Sequence, residues 1–152
     1  MKKFIISIVL MAAAVISANA QNRNIWRNNG YRFNVELSET SGDQFAISTS
    51  HGYAFNNGLF LGGGASFRYD DSGKYYMTPL YAEGRWSFLK GIVSPFIDAK
   101  IGGNINITDS KKSGFYFAPS VGLDIWHFSL SIGYDVITNL DNGLKVGLAV
   151  QF

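Results

Sequence analysis

Leu144-Lys145-Val146-Gly147-Leu148-Ala149-Val150-Gln151-Phe152 alternates without a break. Apolar side chains hold positions 144, 146, 148, 150 and 152, and Lys145, Gly147, Ala149 and Gln151 stand between them. A period of two sustained over this length is a β-strand with one apolar face and one small or polar face.

Working back along the chain, the same two-faced pattern recurs in segments 31–38, 44–55, 59–69, 75–88, 94–107, 115–126 and 128–136. In the first of these, Tyr31, Phe33, Val35 and Leu37 share a face opposite Arg32, Asn34, Glu36 and Ser38. In the seventh, Phe128, Leu130, Ile132, Tyr134 and Val136 oppose Ser129, Ser131, Gly133 and Asp135. Asn56-Asn57-Gly58 is a tight hairpin signal. Stretches 39–43, 70–74, 108–114 and 137–143 read as loops. Eight strands is an even number, so antiparallel neighbours can close into a ring with no free edge.

Met1 to Ala20 reads as an export signal: Lys2 and Lys3, then an apolar stretch from Phe4 to Ile16, then Ala18-Asn19-Ala20 as an A-x-A cleavage site. The apolar run is shorter than the roughly 20 residues of a spanning helix. Residues 21–30 form a polar, asparagine-rich lead-in, and 31–152 make one domain. The net charge of +2 resides in Lys2 and Lys3, which leaves the remainder balanced and without a nucleic-acid footprint. There is no cysteine, which excludes disulfides and thiolate metal sites.

Charged residues make up only 16% of the chain, against about 25% in a soluble domain. Much of the exterior therefore need not face water. Later segments are too short for spanning helices, so a membrane-spanning mature chain must be a closed barrel. A soluble lipocalin-like barrel shares the alternation but turns its apolar face inward. The second face decides between the two. It is mostly Gly, Ser, Ala and Asn with isolated charges, which suits the narrow interior of an eight-strand barrel and not a water-facing wall. Tyr31, Tyr53 and Trp86 gather at one rim, and Tyr69, Tyr75, Tyr76 and Tyr134 at the other, as two interfacial girdles. The expected fold is all-β: an eight-stranded antiparallel up-and-down transmembrane β-barrel.

The export signal, the eight alternating strands, the short turns and the terminal Phe152 resemble the small outer-membrane barrels of the OmpA/OmpX type. The resemblance covers essentially all of the mature chain. It implies a bacterial outer-membrane location, contact with outer-membrane lipids, and a C-terminal strand ending in Phe152 that the barrel-assembly machinery reads. It identifies an architecture and not an activity. The four longer loops are much shorter than that type usually carries, which argues against a receptor or adhesion role built on them.

Ten charges fall on the inner face: Arg32, Arg68, Arg85, Lys100 and Lys145, with Glu36, Glu83, Asp98, Asp124 and Asp135. Buried charges must be paired or wet, and equal numbers of each sign favour a paired network that fills the lumen. A single-sign lining would indicate a selective channel. The opposite charges on the fourth and fifth strands set a register, with Arg85 facing Asp98 and Glu83 facing Lys100, both attractive.

Other motifs carry little. Gly62-Gly63-Gly64 has no following Lys-Ser/Thr and lies within a strand, so it is not a phosphate loop. His127-Phe128-Ser129 has the H-x-S spacing found in outer-membrane lipid A deacylases, but at the opposite rim from the site in those enzymes. His51 stands on the lipid face with Thr49 as its nearest polar neighbour, a neutral interfacial histidine and not a ligand. Asp70-Asp71-Ser72-Gly73 reads as a solvated turn and lacks a full calcium-loop ligand set. Asn106-Ile107-Thr108 matches a glycosylation sequon, which means little in a bacterial-type exported chain. No catalytic residue, cofactor or metal site is expected. The function expected is a non-enzymatic, monomeric envelope protein with a filled lumen. The alternatives are a narrow pore or gated channel, a lipid-modifying enzyme, and a soluble binder of apolar ligands.

Overall fold

The computed structural model describes residues 29–41, 44–71, 75–89, 91–108, 113–138 and 142–152. The export signal and residues 21–28 of the lead-in lie outside these, as does the side chain of Tyr75. Eight strands follow one another: β1 (Gly30–Thr40), β2 (Gln44–Ala54), β3 (Leu59–Asp70), β4 (Tyr75–Ser87), β5 (Val93–Asn106), β6 (Gly114–Ile125), β7 (Phe128–Ile137) and β8 (Gly143–Gln151). Each pairs antiparallel with the next, and β8 pairs with β1 to close the barrel.

The register fixes the geometry of the ring. A path perpendicular to the strands runs from Gly30 through Ala54, Phe60, Arg85, Asp98, Ser120, Gly133 and Lys145, and returns to β1 at Thr40. One circuit therefore climbs from residue 30 to residue 40, a shear of ten. With about 3.3 Å per residue and about 4.8 Å between strands, eight strands at this shear tilt by about 40°. Ten residues then rise about 25 Å along the axis, the height of an apolar transmembrane band.

Both termini of the barrel and the tight turns lie at one end, the terminal rim; the other connections lie at the loop rim. The strands differ from the sequence reading mainly at the loop rim. β1 runs on through Glu39 and Thr40, which pair with Phe45 and Gln44, and β3 takes in Asp70, opposite Gln44. The reason is inside the barrel. Thr40 Oγ1 donates to Asp135 Oδ2 (3.0 Å) and Gln44 Nε2 donates to Asp70 Oδ2 (3.2 Å), so polar residues that suit a turn are satisfied within a strand. At the terminal rim Trp126 and His127 alone connect β6 to β7, and Trp126 has φ of 58°, an uncommon backbone for a residue with a side chain.

The two faces are as the alternation requires. Leu61, Ile101, Val121, Ile132 and Leu144 point outward and remain about half exposed, whereas Ser50, Arg68, Lys100, Asp124 and Asp135 are buried inside. A globular domain in water does the reverse. Aromatic contacts mark the rims: Tyr53–Phe55 (5.2 Å) and Trp86–Phe88 (5.7 Å) near the terminal end, Tyr69–Tyr76 (5.2 Å) near the loop end. Inside, small residues make room for inward-turned rings. A Cβ on Gly64 would stand 2.9 Å from the Tyr81 ring, and one on Gly122 2.6 Å from Phe96. Gly62 and Gly64 of the triplet thus give ring space to Phe60 and Tyr81, in keeping with close packing and not with phosphate binding.

Depth grades the cost of a charge on the outer face. Ile132 and Leu148 lie near the middle of the barrel, whereas Leu123 is two pairs from the end of the β6–β7 hairpin. Ile132→Arg and Leu148→Arg are each expected to lower folding stability in lipid vesicles by about 2–4 kcal/mol, and Leu123→Arg by about 1 kcal/mol or less. Denaturant unfolding in vesicles measures this. Losses below about 0.5 kcal/mol at both central positions would put that face outside lipid.

Candidate functional site

The polar lumen is the candidate site, because strand alternation turns every charged side chain of a strand interior into it except Glu39, which faces outward close to the loop rim. The expected ten inner charges are all there, Arg32 half-buried and the other nine buried. Asp70 joins them, buried at the loop end, and corrects its reading as part of a solvated turn. The inner face therefore carries six acids and five bases, not five of each.

These charges are stacked in three tiers. Nearest the terminal rim, Arg85 pairs with Asp124, and its Nη2 also donates to Ser129 Oγ (3.1 Å). Ser129 Oγ donates to Asp124 Oδ1 (2.5 Å), and Gln151 Nε2 reaches the same oxygen (3.0 Å). Ser87 Oγ donates to Asp124 Oδ2 (3.3 Å), and the Arg85 guanidinium lies 3.6 Å from the centre of the Phe96 ring, a cation–π contact. Arg32 lines a small cavity beside this tier with Asn34, Phe60, Arg85 and Gln151.

In the middle tier Glu36 stands between two lysines, Lys100 (2.5 Å) and Lys145. The Lys100 ammonium also lies 5.3 Å from the Tyr81 ring centre. Glu83 and Asp98 share this level. Ser120 Oγ donates to Asp98 Oδ2 (3.3 Å), while Asp98 Oδ1 and Glu83 Oε2 are buried without a hydrogen-bond partner among the described residues. At the loop end Arg68 pairs with Asp135 and donates from Nη1 to Gln44 Oε1 (3.2 Å), with the Tyr116 ring beneath it.

The register expected for β4 and β5 is present: Glu83 faces Lys100 and Arg85 faces Asp98. The ion pairs nevertheless run elsewhere. Lys100 on β5 reaches β1, Arg85 on β4 reaches β6, and Arg68 on β3 reaches β7. These are chords across a narrow tube. Long side chains pointing at the axis meet partners on far walls as readily as on the next strand, and a chord satisfies both ions away from the crowded wall.

The remaining motifs are resolved as well. His51 Nδ1 is 2.5 Å from Tyr31 Oη, and its ring lies 4.9 Å from Phe33, so Tyr31 and not Thr49 is its polar neighbour. Tyr31 is opposite Tyr53, and its side chain reaches diagonally along the outer face. His127 Nδ1 donates to the Gln151 carbonyl (2.9 Å), whereas Ser129 Oγ is held inside by Asp124, Arg85 and Gln151. The two residues of the H-x-S motif thus make no hydrogen bond to each other and meet only through Gln151, His127 at its carbonyl and Ser129 at its amide. Phe152 stacks on Phe33 (5.5 Å), and the two residues exchange backbone hydrogen bonds (2.8 and 3.1 Å).

No family model matches this sequence, and no curated protein matches it. Solved structures do match its shape. The N-terminal β-barrel domain of Pseudomonas aeruginosa OprF is similar over 83% of this chain and 98% of its own, with a TM-score of 0.54 and 14% identity. The outer-membrane enzyme PagL is similar over 80% and 98%, with a TM-score of 0.52 and 14% identity. A de novo designed transmembrane β-barrel is similar over 80% and 94%, with a TM-score of 0.51 and 15% identity. The chain has the fold of the small eight-stranded outer-membrane barrels. One of these three neighbours is an enzyme and one a designed scaffold, so the fold carries no activity with it.

The tiers make distinct mutational predictions. Glu36→Gln leaves two buried lysines without their carboxylate and is expected to cost about 3–5 kcal/mol, whereas Glu83→Gln should stay within about 1 kcal/mol. A double-mutant cycle between Arg85→Ala and Asp124→Ala should give a coupling of about 1–3 kcal/mol, larger than the cycle between Arg85→Ala and Asp98→Ala. Equal couplings would return Arg85 to its strand neighbour.

Proposed function

We propose that this protein is a monomeric integral protein of a bacterial outer membrane, non-enzymatic, with a plugged lumen and a structural or surface role in the envelope. The observation that carries this reading is the set of ion-pair chords. Arg68–Asp135 and Lys100–Glu36 join opposite walls, and Arg85–Asp124 joins strands two apart, so ion pairs cut across the lumen at three levels, where a conduit would need open space. The outward apolar face and the two aromatic rims support residence in a bilayer over a soluble ligand-binding barrel. In this reading residues 1–20 direct export, and the terminal rim faces the periplasm.

The hydrogen bonds of His127 and Ser129, which run to Gln151 and Asp124 and not to each other, favour the non-enzymatic reading over a lipid-modifying one. A hydrolase needs its base within hydrogen-bond reach of its nucleophile. Ser129 instead spends its hydroxyl on Asp124, inside the barrel.

Planar-bilayer recordings test the plug. The purified protein is expected to give no discrete conductance steps, and cells expressing it no mass shift in their lipid A. Regular steps that vanish on narrowing the lumen would establish the pore. A mass shift abolished by Ser129→Ala would establish the enzyme.

The proposed partner in assembly is the machinery that reads the last strand. Phe152 presents a ring at the terminal rim that is 42% exposed, free to be recognised before the seam closes. Phe152→Ala is expected to reduce assembly in cells severalfold, while refolding in detergent loses only the stacking on Phe33, about 0.5–1.5 kcal/mol. Equal losses in both settings would remove the recognition role.

A further inference from the structure

Two seams of the barrel are interrupted, and each interruption falls at a proline. Between β3 and β4 the pairing skips Ser66–Pro79 and Phe67–Thr78; between β6 and β7 it skips Ala118–Asp135 and Pro119–Tyr134. Proline has no N–H to give a ladder. At position 119 the missing donor points at β7. The Pro119 carbonyl is directed there, 2.4 Å from where a Cβ on Gly133 would stand, and in an antiparallel ladder the N–H of a residue points to the same neighbour as its carbonyl. The Tyr134 carbonyl opposite therefore has no ladder donor.

The β6–β7 break opens on the lipid side into a groove. Ile97, Val121, Ile132 and Leu144 line it on the outer face, and the inward-turned positions Asp98, Ser120 and Gly133 border it from behind. Asp98 is 9% exposed, and its Oδ1 has no hydrogen-bond partner among the described residues. The Ser120 hydroxyl already points its hydrogen at Asp98 Oδ2. Asp98 Oδ1 is sealed from the groove, which therefore combines hydrocarbon walls with one unmet backbone acceptor at the break, the Tyr134 carbonyl. Lipid offers an unmet acceptor nothing, and such groups are costly at membrane depth. The complementary occupant is an alkyl chain that brings its own donor.

We propose that this groove seats an acyl chain of an outer-leaflet membrane lipid, and that a hydroxyl on the chain donates to the Tyr134 carbonyl at the Pro119 break. The groove runs from Ile132, near the middle of the barrel, up to Tyr134 and Leu144 close to the loop rim, which is the outer-leaflet side in the orientation proposed above. The inference rests on that orientation and not on the plugged lumen. A conducting barrel would leave it standing.

The test uses the full chain refolded into phospholipid vesicles with a trace of photoactivatable fatty-acyl lipid. Two probes are compared, identical but for one chain hydroxyl, and labelled residues are mapped by mass spectrometry. The hydroxylated probe is expected to label Ile132, Tyr134 and Leu144 roughly three- to tenfold more than the plain probe, the worth of one hydrogen bond. Pro119→Ala restores the ladder donor and should bring that ratio to one while the barrel keeps its folded gel mobility. Ile132→Trp, a lipid-facing change that leaves the ladder alone, should block the groove and lower labelling by both probes. Equal labelling of the wild type by the two probes, labels spread evenly round the barrel, or an unchanged ratio in Pro119→Ala would each overturn the proposal. Labelling confined to the half nearer the terminal rim would overturn it as well.

Discussion

The pairing of β1 with β8 is what the other strands depend on. In hydrocarbon every backbone N–H and C=O must find a partner within the protein, and only closure gives the two end strands theirs. Seven register pairs make this seam, from Asn34–Gln151 to Thr40–Lys145, against eleven between β1 and β2. It is reinforced at both ends: Phe33 and Phe152 exchange backbone bonds at the terminal rim, and Ser41 N–H donates to the Leu144 carbonyl (2.8 Å) at the loop rim. Lys145 on β8 also pairs with Glu36 on β1, so the same seam is held by an ion pair inside and by aromatic stacking outside.

Closure creates the interior that the polar residues then fill. Within a tube this narrow a charge has no water to retreat into, and the cost of burying it is met by opposite charges and by hydroxyl and amide groups. Asp124 is the fullest case, taking Arg85, Ser87, Ser129 and Gln151 from three strands. Glu36 is held by two lysines, from β5 and β8. Among the described residues, buried carboxylate oxygens without a hydrogen-bond partner remain on Glu83 and Asp98 in the middle tier and on Asp135 at the loop end.

Much of this was legible in the sequence, and what was not has a physical reason. Period two names the face of every side chain, so the ten inner charges and the outward apolar wall were readable directly. Complementary charges on β4 and β5 were enough for their register, since antiparallel neighbours keep one offset along their length. The chords were not readable. Whether Lys100 meets Glu36 depends on the shear of the whole ring, which no pair of neighbouring strands contains. Asp70 reads as a turn residue because Asp-Asp-Ser-Gly is good turn chemistry; its inward hydrogen bond from Gln44 comes from a different strand. Tyr31 and His51 stand diagonally across two strands, a contact that depends on side-chain direction as well as on register.

The shear of ten also makes the lumen contents a gauge. Strand number and shear together set a barrel's radius, about 8 Å for eight strands at this shear. Shear changes in steps of two, because a single-residue slip would turn a strand inside out. The neighbouring values of eight and twelve would shrink or widen the backbone cylinder by about 0.7 Å. Chords such as Arg68–Asp135 and Lys100–Glu36 span the bore, so they report its width as a caliper does. A wider cylinder would pull them apart, and a narrower one would have no room for Tyr81, Phe96 and Tyr116 over their small neighbours. The side chains that plug the tube are thus also the ones that select its diameter from a short ladder of discrete sizes.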